Sequence, residues 1–210
     1  MNGRTKHRTL KENLELGIST VTLKGQKESG DRYFLKEYNG FVLIAVVDGI
    51  GHGDEAADAA KRAIEYLESH SSEPLIPLVK ACHEYLKNTR GVVMSIALVN
   101  MTYGTVQWLG VGNVGAVLLR GDPNILPQQE HIIMRGGVVG HTLPMLQASS
   151  HPLTRKDVLI FTTDGVAEAF TRDVMMHETA QNIADTICRL HAKGNDDALV
   201  LVGRYLGATT

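Results

Sequence analysis

The chain has 210 residues, with 21 Lys and Arg against 23 Asp and Glu and a formal charge of −2. That balance, with no basic run carrying spaced aromatics, argues against a nucleic-acid surface; the longest apolar run is far short of the ~20 residues of a membrane helix. Near-average composition at this length leads us to expect one domain spanning 1–210 with a sizeable core.

The opening MNGRTKHRTLKENLE is charged and carries no apolar stretch of the secretory kind. Residues 1–12 therefore read as a flexible tail and the protein as cytoplasmic. Leu14, Leu16 and Ile18 alternate as a strand, and Val21 and Leu23 resume out of phase, which predicts a bulge near Ser19 and Thr20. Next comes Asn39-Gly40 between two strand-like runs, 32–38 and 41–47. Asn-Gly is the strongest short-range hairpin signal, because both central residues of a type I′ turn need positive φ. Counting outward from Tyr38 opposite Phe41 brings Asp31 opposite Asp48 on one face.

Asp54 is read as the N-cap of a helix whose inward stripe is Ala56, Ala60, Ala63, Ile64 and Leu67. After a turn at 71–74, a second helix is expected over 77–88, with Leu78, Val79, Cys82, Tyr85 and Leu86 inward. Strands follow at 92–99, 104–110, 114–120, 130–134 and 157–163, the last nearly continuous in apolar content and so expected to be central. Residues 112–115 read as a tight turn. The 136–150 stretch, GGVVGHTLPMLQASS, is the longest irregular piece and a candidate mobile flap. Asp173 is read as capping a helix that faces inward through Ala180, Ile183, Ala184, Ile187 and Leu190, ahead of a last strand at 198–206. Cys82 and Cys188 lie within helical patterns, as reduced buried thiols do. This order lacks strict β-α alternation. The fold class is α+β: two antiparallel sheets face to face with helices outside, a four-layer α-β-β-α sandwich.

Four strand-end positions carry the chemistry: Asp31, Asp48 in VVDGIGHG, Asp164 in IFTTDGVAEA, and Asp196 with Asp197 in GNDDALVLV. Like charges opposed on a hairpin repel, and a hard divalent cation turns that liability into a site. Gly49 and Gly165 allow a backbone carbonyl to approach beside each carboxylate. Sparse carboxylates with one carbonyl suit Mg²⁺ or Mn²⁺, which keep several waters, better than a closed calcium cage. Each Asp-Gly alone is ordinarily only a turn; their combination is the signal.

VVDGIGHG with its alanine-rich continuation, SGD at 29–31, DVLIFTTDGVAEA at 157–169 and DDALVLV at 196–202 together resemble the PPM-type metal-dependent serine/threonine phosphatases, in their SpoIIE-like branch. The likeness runs from about Leu14 to Leu206, and the compact chain is most similar to the stressosome phosphatases of that branch. The resemblance implies a helix-flanked β-sandwich with a binuclear Mn²⁺ or Mg²⁺ centre. Carried over by motif, Asp48 bridges the ions, Gly49 ligates through its carbonyl, and Asp31, Asp164 and Asp196 complete the shells directly or through water. Asp197 is the weaker candidate. The implied reaction is in-line attack by metal-activated water on phosphoserine or phosphothreonine. The implied substrate is a small phosphorylated regulator of the partner-switching type, STAS-type or stressosome component, with no nucleic acid and no membrane involved. Two departures stand out: Arg4 and Arg8 match no phosphate-gripping motif of the eukaryotic members, and Ser29 replaces one of two glycines common in the branch. His52 is read as orienting its loop or capping the next helix, with a general-acid role as the alternative. His141, His151 and His177 read as surface or loop residues. The competing readings are a catalytically silent phosphatase-like binding module and a small-molecule phosphodiesterase using the same metals.

Overall fold

The structure, a computed structural model, describes residues 9–10 and 13–207. In chain order its first half runs β1 (Thr9–Leu10), β2 (Leu14–Val21), β3 (Asp31–Tyr38), β4 (Phe41–Gly49), α1 (Asp54–Ser69), α2 (Leu75–Tyr85) and β5 (Val92–Asn100). The second half runs β6 (Thr105–Val111), β7 (Gly115–Leu119), β8 (Gln129–His131), β9 (Met134–Arg135), β10 (Ser149–Pro152), β11 (Val158–Thr162), a 3-10 helix (Glu168–Asp173), α3 (Ala180–His191) and β12 (Ala198–Tyr205). One sheet is ordered β1-β2-β12-β11-β7-β8 and the other β10-β6-β5-β4-β3, with β9 added beside β6. All pairings are antiparallel except the two-residue β6–β9 pair.

Three apolar layers hold this together. Trp108 and Phe161, both fully buried, lie between the sheets with Leu14, Ile44 and Leu201. Ala59, Ala63 and Leu67 of α1, with Leu78 and Cys82 of α2, cover the outside of one sheet. Ile183, Ala184 and Ile187 of α3 cover the outside of the other. The α-β-β-α order expected from the sequence is the order found. Burial pushes the Cys82 thiol up to about 12, and Cys188, also buried, is shifted upward for the same reason. Both cysteines are free.

The hairpin register is as counted. Asn39 and Gly40 take φ of 47° and 81°, and the ladder runs unbroken from Tyr38 opposite Phe41 to Asp31 opposite Asp48. Elsewhere local readings fail for identifiable reasons. β2 has no bulge: its ladder with β12 is continuous from Leu14 opposite Tyr205 to Val21 opposite Ala198. The change of phase reflects Val21 leaving the core at 41% exposure, not an inserted residue. α3 is capped by Thr179, whose side chain accepts from the Asn182 amide, rather than by Asp173, which pairs with His191 instead. Tyr85 and Leu190, assigned inward, are half exposed at 49% and 52%, because each stands at the edge of its helix's apolar stripe. The expected strand at 130–134 is two short ones in different sheets.

The 136–150 stretch is a strap, not a hanging flap. Val139 is fully buried and exchanges amide hydrogen bonds with Val92 at 2.9 and 2.8 Å. The Gly140 amide donates to His83 Nδ1 at 3.0 Å, and Leu143 and Leu146 pack on the α1–α2 layer. Residues 1–8 and 11–12 of the expected tail lie outside the described residues; Thr9 and Leu10 pair with β2.

Candidate functional site

β3 and β4 deliver Asp31 and Asp48 to one end of the sandwich, and β11 and β12 deliver Asp164 and Asp196 to the same end from the facing sheet. Asp31 is 7% exposed. Its Oδ2 accepts from Thr163 Oγ1 at 2.7 Å, and that hydroxyl in turn accepts from the Leu199 amide at 2.9 Å. A chain of two hydrogen bonds thus joins the sheets directly behind the site.

The carboxylates sense one another. Burial, opposed by the Thr163 hydrogen bond and reinforced by Asp197, Asp164 and Asp196, pushes Asp31 up to about 7. Burial first, then Asp31, Asp164, Asp196 and Asp197, pushes Asp48 up to about 8. Desolvation and neighbouring negative charge both disfavour the ionised form. The four strand-end carboxylates therefore share one electrostatic neighbourhood. Among the described residues no group of three or more His, Cys, Asp or Glu side chains is placed closely enough to hold a metal ion by itself. Such an open all-oxygen set fits a hard cation whose remaining positions are filled by water.

The glycines after the aspartates are needed for close packing rather than for a turn. A Cβ on Gly49 would stand 2.1 Å from the Ala56 carbonyl oxygen, so α1 rests directly on the strand end. A Cβ on Gly165 would stand 1.8 Å from the Asp197 carbonyl oxygen. Asp197 itself is a clamp: its two carboxylate oxygens accept from the Leu23 and Gly30 amides, each at 2.7 Å. Those bonds fix the segment leading into Asp31. The neighbouring Asp196 accepts the Asp197 amide through Oδ1 at 2.8 Å and keeps partial exposure.

His52 is exposed on the loop after Gly49 and does not cap α1; Gly53 is the N-cap, with no side-chain capping bond, and Asp54 is the first helical residue. The loop is held instead by Gln26, whose Oε1 accepts the Gly53 amide at 3.1 Å, and by Arg90, which packs under Gly51 and pairs with Glu55. His141 and His177 are exposed as expected, whereas His151 is half buried against Glu130.

Two residues escaped the sequence reading, Thr163 and Lys193, and a third, Asn113, stands in it only as part of a tight turn near the site. Thr163 orients Asp31 as described above. Asn113, in the expected Gly112 turn, donates from Nδ2 to Asp164 Oδ2 at 2.8 Å. Lys193 donates from Nζ to the Asp164 carbonyl oxygen at 2.6 Å and from its amide to the Gly165 carbonyl at 2.8 Å. Asn113 carried a weak signal in its turn; Lys193, separated from Asp164 by 29 residues, carried none.

The profile of the family described as Stage II sporulation protein E (SpoIIE) matches residues 39–205. The chain belongs to the SpoIIE family. This SpoIIE-family chain is 27% identical over 107 residues to the phosphoserine phosphatase RsbX of Bacillus subtilis (strain 168), a match covering 51% of the chain and 54% of that relative. The chain thus spans about half the length of the curated relative it matches. A chain from a structure of the bacterial stressosome, described as a modular system adapted to control secondary messenger signalling, superposes with a TM-score of 0.83 at 30% identity, covering 92% of this chain and 100% of that one. RsbX in complex with magnesium superposes with a TM-score of 0.82 at 20% identity, covering 92% and 96% of the two chains. That second likeness speaks for the fold.

Proposed function

We propose that this chain is a metal-dependent protein serine/threonine phosphatase, removing phosphate from a small phosphorylated regulator of the STAS or stressosome type in the cytoplasm, as a single domain over 1–210. The observation that carries the reading is the Asp31–Asp48 pair, opposed in register, with Asp31 buried and Asp48 half-buried and both under the influence of further carboxylates, which asks for divalent cations. Similarity to RsbX, a phosphoserine phosphatase, supports the reaction class, and the magnesium in a fold relative supports the ion class.

In this reading Asp31, Asp48, Asp164, Asp196 and the Gly49 carbonyl hold two Mn²⁺ or Mg²⁺ ions. Bound there, such ions lower the pKa of coordinated water and offset charge on the phosphoryl oxygens. The chain's own contribution is order. Thr163 and the Asp197 clamp fix Asp31; Asn113 steadies Asp164. Lys193 brings an exposed ammonium beside the carboxylates, the charge needed for a phosphoryl group where Arg4 and Arg8 lie outside the described residues. His52, exposed on its loop, remains the candidate for protonating the leaving seryl oxygen. Retention of every expected carboxylate counts against a silent binding module.

The test is hydrolysis of phosphoserine peptides by purified protein with Mn²⁺. Turnover that stops with chelator supports the reading. A metal-loaded protein that leaves all phosphoserine and phosphothreonine peptides intact refutes it.

A further inference from the structure

A cavity of about 600 Å³ adjoins the site and shares Asp164 with it. Its volume is that of pockets enclosing a whole small ligand and far exceeds the space a phosphoryl group needs. The lining is divided. At the carboxylate end stand Asn113, Thr163 and Lys193; away from it the walls are mainly apolar, with Val117 and Ile132 from the β7–β8 side and Val166 and Phe170 from the 3-10 helix side, interrupted by His131 and Glu168. Met134, 50% exposed, and the half-buried Thr171 stand at its margins.

Resting on the phosphatase reading above, we propose that this cavity is the specificity cleft of the same site, receiving an apolar side chain from the substrate segment next to the phosphoserine. A phosphoserine held at the carboxylate end leaves the apolar half unfilled. Covering that surface with an aliphatic side chain is favourable in proportion to the apolar area removed from water. Continuity fixes the occupant's chemistry. The polar end takes the phosphorylated residue beside Lys193, and the next residues of an extended segment, at roughly 3.3 Å each, run onto the Val117–Phe170 surface. The substrate class is thus a phosphoprotein with a Leu-, Ile- or Met-like side chain close to its phosphoserine, rather than a wholly polar phosphopeptide or a free nucleotide.

The experiment is a scan of phosphoserine peptides in which one Leu is moved through the three positions on either side of phosphoserine in a Ser/Gly background, assayed with Mn²⁺. Cyclic dinucleotides and p-nitrophenyl phosphate serve as comparison probes. Wild type should prefer one Leu position over the Leu-free peptide by at least about tenfold in kcat/KM, the ordinary scale for an apolar group in a pocket. Thr171→Trp, which fills the cleft, and Met134→Glu, which charges its exposed margin, should each bring that ratio towards one while retaining a folded melting transition. A flat Leu scan, a preference that survives in both variants, or faster cleavage of the cyclic dinucleotides than of any peptide overturns the inference. Peptide hydrolysis with a flat scan overturns this inference alone; absence of peptide hydrolysis in metal-loaded protein overturns it together with the phosphatase reading.

Discussion

At one end of β11 the Asp157 carboxylate is surrounded by donors; at the other end Asp164 stands among further carboxylates. The first cluster is Arg120, Asp157, Glu130 and His151. Asp157 accepts from Arg120 Nη1 at 2.9 Å, from the Gly121 amide at 2.8 Å and from both the amide and hydroxyl of Thr154 at 2.9 and 3.0 Å. Arg120 also pairs with Glu130, which pairs with His151. Arg120 gives Asp157 its counter-charge there, and the cluster knits β7, β8, β10 and the start of β11 together. The second cluster lies about 20 Å away along the strand at roughly 3.3 Å per residue. It has carboxylates pushed up to about 7 and about 8 and leaves its balance to something from outside. The same residue types build a rivet at one end and, in the proposed reading, a cation site at the other; what differs is how far the chain supplies the counter-charge.

Four substitutions or conditions break this contrast, in falling order of effect. Asp48→Asn should reduce Mn²⁺-dependent phosphoserine hydrolysis by about a thousandfold, roughly 4 kcal/mol of transition-state stabilisation. Its metal-free melting temperature should hold or rise, since a crowded charge has gone; a combined loss of activity and stability in thermal melts would make the site structural instead. Arg120→Met should behave in the opposite way. It strands the buried Asp157 and should cost about 3–5 kcal/mol, near 10 °C in Tm for a chain of this size, with kcat per folded molecule little changed.

The pH dependence follows from the raised carboxyls. Asp31 and Asp48 hold protons to higher pH in the folded state than in the unfolded, so between about pH 4 and 8 the folded chain binds more protons. Metal-free stability should therefore fall as pH rises through that window, read by denaturant melts. Mn²⁺ at about a hundred times its Kd should restore about 2.7 kcal/mol, or roughly 5–10 °C, and the gain should be larger at pH 8 than at pH 6, where protons compete. Asp197→Asn removes one of two amide acceptors behind Asp31, costing about 1–3 kcal/mol. It should weaken Mn²⁺ affinity roughly tenfold without abolishing turnover, as measured by metal titration of the rate.

What the sequence disclosed followed from rules that act over short range. Asn39-Gly40 set a register in which Asp31 meets Asp48, because a two-residue turn leaves no freedom in the pairing. Apolar stripes on Ala63 and Leu67, and on Ile183 and Ile187, assigned helices to the two outer faces. The misses are tertiary. Thr179 rather than Asp173 caps α3 because Asp173 closes the preceding 3-10 helix and α3 begins only at Ala180. Asp197, the weaker ligand candidate by motif, has its oxygens taken by the Leu23 and Gly30 amides, partners more than 160 residues distant. Lys193 and the cleft beside Asp164 exist only once β7, β11 and the 3-10 helix are assembled, so no spacing announces them.

The central claim, that acidic strand ends from both sheets converge to bind a cation pair, is tested most directly by calorimetric titration of metal-free protein with Mn²⁺. The account predicts uptake of two ions per chain in wild type and loss of at least one of them in Asp48→Asn. No uptake by folded wild type, or identical uptake by the variant, would contradict it.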